Sequence, residues 1–391
     1  MNKREKIQIL TNINTFDIDV LTDFISANQI TLSEMISAGL SEEKQAELKQ
    51  FEERIQQQKS DKNRVLALCK DIEDSVFDAK AIKRMLLNNE LTEADLLANT
   101  SLDQSLIKRI RNFEQTKLNF NLWDDLPPLE DKRTDVYFFG QPGSGKSCVL
   151  ASLFYFLEKN GLMQVDLTNL AGATYRAQLK DDFEYGILPE STTVDGVNYI
   201  ALDIRNKEDR NKWHPLNFIE MSGEHFNSAF EQGISADNLN QKNYLLNENR
   251  KLIFFVIDYD AHVQGREAGQ RFSQASMMVN VLELLDDQGI LKKTDAVYIL
   301  LTKSDLFPDG VDRKKFAMEF LNEHYRNFLE NCKDQKFKHN ESFKLVVFPY
   351  SIGQVKFNDI LMAIDDTSPK YITEAIRSFS FYKKTKTGLF N

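Results

Sequence analysis

The chemistry this chain can offer is concentrated in Gly140-Gln141-Pro142-Gly143-Ser144-Gly145-Lys146-Ser147. Glycines tolerate backbone conformations and close approaches that a Cβ would block, so several N–H groups can converge on one anion. The apolar run YFFG precedes the loop and CVLASLFYFL follows it, a strand–loop–helix setting. A helix starting near Lys146 adds its positive amino end to the same spot. In that setting Lys146 reaches the β- and γ-phosphates of a nucleotide, and the Ser147 hydroxyl is placed for Mg²⁺. Residues 140–147 and the following Cys148 are therefore the expected nucleotide-contacting segment.

Four further segments fit around such a ligand. Thr302-Lys303-Ser304-Asp305 closes the apolar run AVYILL. A carboxylate at Asp305 can accept from N1–H and the exocyclic amine of guanine, whereas adenine would leave it unpaired. Lys303 would lie along the base and ribose. Taken alone, TKSD serves as well for a helix N-cap. Glu220-Met221-Ser222-Gly223-Glu224 closes LNFIEM; Glu220 could hold Mg²⁺ through water, and Gly223 could offer its N–H to the γ-phosphate. In Pro189-Glu190-Ser191-Thr192-Thr193 either threonine hydroxyl could complete the metal shell. Tyr350-Ser351-Ile352-Gly353 follows LVVFP and would bring a backbone N–H to the base O6. A competing reading starts from LIFFVIDYD (252–260). There Asp258 is the metal-binding acid of a P-loop ATPase or nucleotide kinase, and TKSD is accidental.

The five segments occur in the order of the G1 to G5 motifs, so residues 134–380 resemble the P-loop GTPase superfamily. The resemblance is to its translation-factor-related branch, in which a strand hairpin separates switch I from switch II. LPESTT, IEMSGE and PYSIG are further similar to bacterial double-GTPase families. The resemblance implies a GTP- or GDP-binding, Mg²⁺-dependent domain. Ser147, Thr192 or Thr193, and Glu220 would lie at the metal. Gly223, Thr302, Lys303, Asp305, Ser351 and Ile352 would lie at the nucleotide, and Lys146, Thr193 and Glu224 at the cleavage step. It also implies a molecular switch, with a homodimer across the nucleotide face as one option. Glu220 departs from the usual aspartate, and Glu224 stands where many members carry glutamine, so slow, partner-activated or absent hydrolysis (a non-hydrolysing scaffold) is also open. Arg176 is a candidate for the activating arginine and a surface residue otherwise; His225 adjoins the site.

The elements that must position these residues read as strands 134–139, 197–205, 216–221, 252–258, 296–302 and 344–349. Helices are expected at 146–159 and near 269–287, 312–331 and 354–379, with a polar insert reaching about Glu190. Alternating strands and helices predict an α/β domain over 134–391, a mostly parallel sheet covered on both faces, with ligands at the strands' carboxyl ends. Residues 1–118 differ: they contain no proline, and Gly39 is the one glycine in a helical pattern. They predict an all-α domain with two weak repeats, about 10–55 and 71–116, in which Phe16/Phe77, Asn28/Asn89 and Thr31/Thr92 share one offset. Such a region reads as an interaction module for a protein partner. Residues 119–133, with Pro127-Pro128, read as the linker.

Composition narrows the classes. The net charge of −10 argues against a general nucleic-acid binder. The three cysteines are far apart, which disfavours a disulfide scaffold or zinc site and fits a reducing compartment. MNKREKIQIL lacks the pattern of a secretory signal, and no apolar run is long enough to span a bilayer. The expected location is the cytoplasm; the basic end FYKKTKTGLFN is thin support for membrane association.

Overall fold

A computed structural model describes residues 2–114, 116–190, 192, 196–207, 209–223, 239–265, 273–339, 343–357 and 359–379. They fall in two units, Met1–Phe113 and Glu114–Asn391. No helix among the described residues is long and apolar enough to cross a membrane.

The first unit is all helical: α1 (Lys3–Thr11), α2 (Ile18–Ser26), α3 (Leu32–Ser37), α4 (Glu42–Glu73), α5 (Ala79–Leu87), α6 (Glu93–Asn99) and α7 (Gln104–Arg111). Capping sets the boundaries. Thr31 opens α3 in a capping box with Glu34, and Thr92 opens α6 in the same box with Asp95, each satisfying two orphan N–H groups. Asn28 and Asn89, shortly before those caps, both have left-handed φ, 53° and 56°. α4 runs unbroken through residues 56–70, between the two predicted repeat segments. Its sequence has no Gly or Pro and is rich in Glu, Lys, Gln, Ala and Leu, all strong helix formers. Leu48, Cys69 and Ile72 bury its ends.

The second unit contains β1 (Thr134–Phe139), α8 (Lys146–Lys159), β2 (Met163–Val165), α9 (Leu170–Glu184), β3 (Val197–Arg205), β4 (Trp213–Met221) and α10 (Leu239–Leu246). It continues with β5 (Arg250–Asp258), α11 (Tyr259–Val263), α12 (Gln274–Asp287), β6 (Thr294–Thr302), α13 (Arg313–His324), α14 (Arg326–Lys338) and β7 (Lys344–Pro349). It closes with β8 (Gly353–Lys356), β9 (Ile360–Ile364) and α15 (Thr367–Phe379). The main sheet has the order β2-β3-β4-β1-β5-β6-β7. β4, β1, β5, β6 and β7 run parallel, while β2 and β3 pair antiparallel at one edge.

Side chains alternate across a strand, so two cores form. Tyr137, Ile219, Phe255 and Ile299 face α12, α13 and α14. Val136, Phe138, Phe218, Phe254 and Leu300 face α8, α9 and α15. Apolar residues on both faces of the central strands require helices on both sides, and the chain supplies them.

Several sequence expectations need correction. The polar insert before Glu190 contains β2 and α9; α9 buries Tyr175, Leu179 and Phe183 on one face. The helix expected at 312–331 is two helices, broken at the buried Tyr325, where φ is −125° and ψ 27°. The helix expected over 354–379 begins only at Thr367. Before it, Gly353–Ile364 forms a hairpin turning at Phe357 (φ 56°). A Cβ on Gly353 would lie 1.8 Å from the Ala363 carbonyl oxygen, so this pairing requires glycine.

Residues 119–133, read as a linker, belong to the second unit. Asn121 bridges to Val197, and Trp123 and Leu126 are buried. Asn217 and Asn249 both donate to the Glu130 carbonyl and to Asp135 Oδ1. Pro127 and Pro128 mislead as linker signals, because the apolar residues before them, Trp123 and Leu126, are buried and anchor this segment. Fully buried Lys251 stands 3.7 Å from Asp135; burial lowers its pKa to about 8 and raises that of Asp135.

His214 packs at the same end of the sheet, its Nε2 2.9 Å from Thr134 Oγ1. Burial first, and the Arg133 charge second, lower its pKa to about 4. The folded chain therefore binds fewer protons here than the unfolded chain between pH 6.5 and about 4, so this contribution is complete above the unfolded pKa and lost as pH falls. Thermal unfolding across that window should show wild type losing stability relative to His214→Asn as the pH drops. Parallel curves would contradict this account.

Candidate functional site

The loop after β1 takes its shape from its glycines. Gly143 and Gly145 have φ of 75° and 92°, a region that side chains with a Cβ rarely adopt. A Cβ on Gly140 would come within 2.5 Å of the Val256 carbonyl oxygen. Gly145 is the N-cap of α8, so the positive end of that helix opens into the loop. Lys146 Nζ donates to the carbonyls of Gly140 (2.8 Å) and Gln141 (3.0 Å) and is nearly buried. Ser144 Oγ is buried without a hydrogen-bond partner among the described residues. Gln141 Nε2 lies 3.0 Å from the Met277 sulfur on α12.

Oxygen atoms from three distant segments meet at the start of α8. Ser147 Oγ donates to Glu220 Oε1 at the end of β4, and lies 3.3 Å from Thr192 Oγ1. Tyr175 on α9 donates to Glu220 Oε2 at 2.5 Å. Glu220 is fully buried. Burial pushes its carboxyl up, while the bonds from Ser147 and Tyr175 and the charge of Lys146 pull it down. Gly223 lies directly against the loop: a Cβ there would be 2.0 Å from the Pro142 nitrogen.

On the other side of the loop, Thr302 Oγ1 donates to the carbonyl oxygens of Ser144 (2.9 Å) and Ile257 (3.0 Å). It thereby ties β5, β6 and the loop together. Asp305 Oδ1 accepts from Ser351 Oγ at 2.9 Å. Ser304 N–H donates to the Tyr350 carbonyl, so the loops after β6 and β7 are joined.

Other expected residues sit differently. Lys303 Nζ pairs with Asp258 (2.9 Å) and Asp260 (3.4 Å). Asp258 also caps α11 by accepting from Ala261 N–H, and it is Glu220, on β4, that meets Ser147. Of the backbone N–H groups of Tyr350–Gly353, one of which was expected at the base, that of Ser351 donates to Ser368 Oγ at 3.0 Å. The Ile352 carbonyl accepts from Asp365 N–H. Arg176 is neither at the loop nor on the surface: it is buried and ion-paired with Glu158 of α8. Cys148 has its thiol pushed up to about 12 by burial, which keeps it protonated. Thr193, Glu224 and His225 lie outside the described residues. Tyr175 went unnoticed in the sequence. One signal was present, the i, i+4, i+8 spacing of Tyr175, Leu179 and Phe183, which marks a buried helical face.

A mostly parallel sheet, a glycine-rich loop opening a helix, and a strand-end carboxylate on the loop's serine together define a P-loop GTPase-type domain. Residues 136–358 match the family described as Double-GTPase 2, and the chain belongs to that family. A comparison with curated proteins gives no match. Similar solved structures include Toc33 from Arabidopsis thaliana in complex with Mg²⁺ and GMPPNP. It is 15% identical with a TM-score of 0.35, over 64% of this chain and 85% of that one. The signal recognition particle receptor SRb-GTP/SRX complex from Chaetomium thermophilum is 16% identical with a TM-score of 0.31, over 58% of this chain and 94% of that one. The Ser147, Thr192 and Glu220 oxygens are hard donors of the kind Mg²⁺ takes beside phosphates, so the residues present fit that ion.

The contact of Gly223 with the loop yields a direct check. Gly223→Ala must displace either the chain after β4 or the Gln141–Pro142 peptide. We expect a loss on the order of 1–3 kcal/mol in chemical unfolding. Unchanged stability would mean that the close approach is not a constraint.

Proposed function

We propose that the protein is a Mg²⁺-dependent GTP-binding switch that cleaves GTP to GDP and phosphate. The observation that carries this reading is the meeting of Ser147, Thr192 and Glu220 beside Lys146, with the Asp305–Ser351 pair on the neighbouring loops. The N–H groups of residues 143–148 would cradle the phosphates, with the Ser144 hydroxyl as a further buried donor. Lys146 would exchange its two loop carbonyls for β- and γ-phosphate oxygens. Ser147 and Thr192 would ligate Mg²⁺ directly, and Glu220 would act through a bound water. When bound, the ion would neutralise charge on the β- and γ-phosphates.

Asp305 would read the guanine N1–H and amine, and Ser351 would hold that carboxylate in orientation. Thr302 would keep the loop seated against β5 and β6. The Gly223 N–H is the proposed γ-phosphate contact. Water attacks the γ-phosphorus as the bond to the β–γ bridging oxygen breaks. We assign its orientation to Thr193 and Glu224, with a partner's arginine as the expected accelerator, since Arg176 is engaged by Glu158. The helical unit Met1–Phe113, which offers no cluster of catalytic side chains among its described residues, is the proposed partner-binding arm.

Calorimetric titration with GTP, ATP and XTP tests base recognition. Asp305→Asn should lower GTP affinity by at least about 10²-fold, the lost carboxylate pairing leaving donors unmatched, and should improve XTP binding. Unaltered GTP affinity together with no gain for XTP would remove the guanine reading. In single-turnover assays, Lys146→Ala should abolish cleavage; cleavage at the wild-type rate would rule out this site as the source.

A further inference from the structure

Glu220 has one more methylene than the aspartate common at its position, and hence one more rotatable bond to fix. In the structure each of its oxygens is held by a different helix: Oε1 by Ser147 of α8 and Oε2 by Tyr175 of α9. Strand parity accounts for this. On β4, Phe218 packs into the core beneath α8 and α9, while Ile219 faces the opposite core. Glu220, two residues beyond Phe218, must therefore point at α8 and α9.

Tyr175 is itself tightly held. It is 2% exposed, and Phe120 packs against its ring at 5.6 Å. The Asn169 cap of α9 donates to the Tyr199 carbonyl at 2.7 Å and accepts from Gly172 N–H. A Cβ on Gly172 would lie 2.2 Å from that same carbonyl, so helix and strand are in close contact. Arg176 pairs with Glu158, and Thr116 donates to Asp182 at 2.7 Å. The phenol is thus a fixed donor, braced by α8, by β3 and by the chain that precedes β1.

We propose that Tyr175 is a positioning residue for the metal site: by holding Glu220 Oε2, it turns Oε1 toward Ser147 and makes a glutamate serviceable there. This rests on the Mg²⁺ reading above. A side chain that orients a metal-associated carboxylate typically contributes 10–100-fold to metal affinity. Tyr175→Phe keeps the ring and its packing and removes only the hydroxyl.

The test is titration of GDP into the full chain, with magnesium and with EDTA. Wild type should bind more tightly with magnesium. Tyr175→Phe should lose about ten-fold of that magnesium-dependent gain and leave the affinity in EDTA unchanged. In a Glu220→Asp background the shorter carboxylate cannot keep both partners, so adding Tyr175→Phe should change nothing further. Equal losses with magnesium and with EDTA would make the tyrosine a structural residue and overturn the proposal. So would full additivity with Glu220→Asp. If wild type itself binds GDP equally with and without magnesium, the metal reading fails and this inference falls with it. That outcome is visible before any variant is compared.

Discussion

The arrangement depends on the parallel pairing of β1 with β4, in which Phe138 stands opposite Glu220. β1 delivers the glycine-rich loop, and β4 delivers the carboxylate that the loop's serine needs. A slip of one residue would turn Glu220 to the other face of the sheet and replace it with an apolar neighbour. That register is strongly specified, because Phe218 and Ile219 are both fully buried in opposite cores. The pairing that seats a polar carboxylate at the site is thus enforced by apolar side chains.

Burial of the charged groups at the two ends of this sheet is tolerated because they are engaged. Glu220 is satisfied by two hydroxyls and Lys251 by three acceptors on Asn247 and Asn249. Asp135 Oδ1 takes two amides. An unpaired charge at such depth would cost several kcal/mol. The two networks occupy opposite ends of the parallel strands. One fastens the chain before β1 to the strands' amino ends; the other gathers oxygen donors at their carboxyl ends. The carboxyl-end position follows from the topology, since loops leaving parallel strands emerge together.

Much was legible in the sequence where the determinants are local. Strand boundaries followed from apolar runs bounded by turn residues. The N-caps Thr31 and Thr92 followed from an acid three residues on. Misreadings arose where packing overrode a local signal. Residues 119–133 carry prolines and charges, yet Trp123 and Leu126 find buried positions. Residues 353–364 resemble the start of a helix until the close approach of Gly353 to Ala363 closes a hairpin.

By itself, the sequence determined the glycine-rich loop, its helix, the sheet class and the list of polar residues at strand ends. Each of these is written within a short window, where steric freedom at glycine and side-chain periodicity act between near neighbours. Only the tertiary structure decided which of those residues meet. Ser147, Thr192, Tyr175 and Glu220 come from four separate segments, and Glu220 stands 73 residues from Ser147 in the chain. Their convergence depends on strand order, register and side-chain parity, and on α9 being pinned by Asn169 and Arg176. Those are long-range packing choices, so no local pattern announces Tyr175 as a partner of Glu220 or Arg176 as a buried brace.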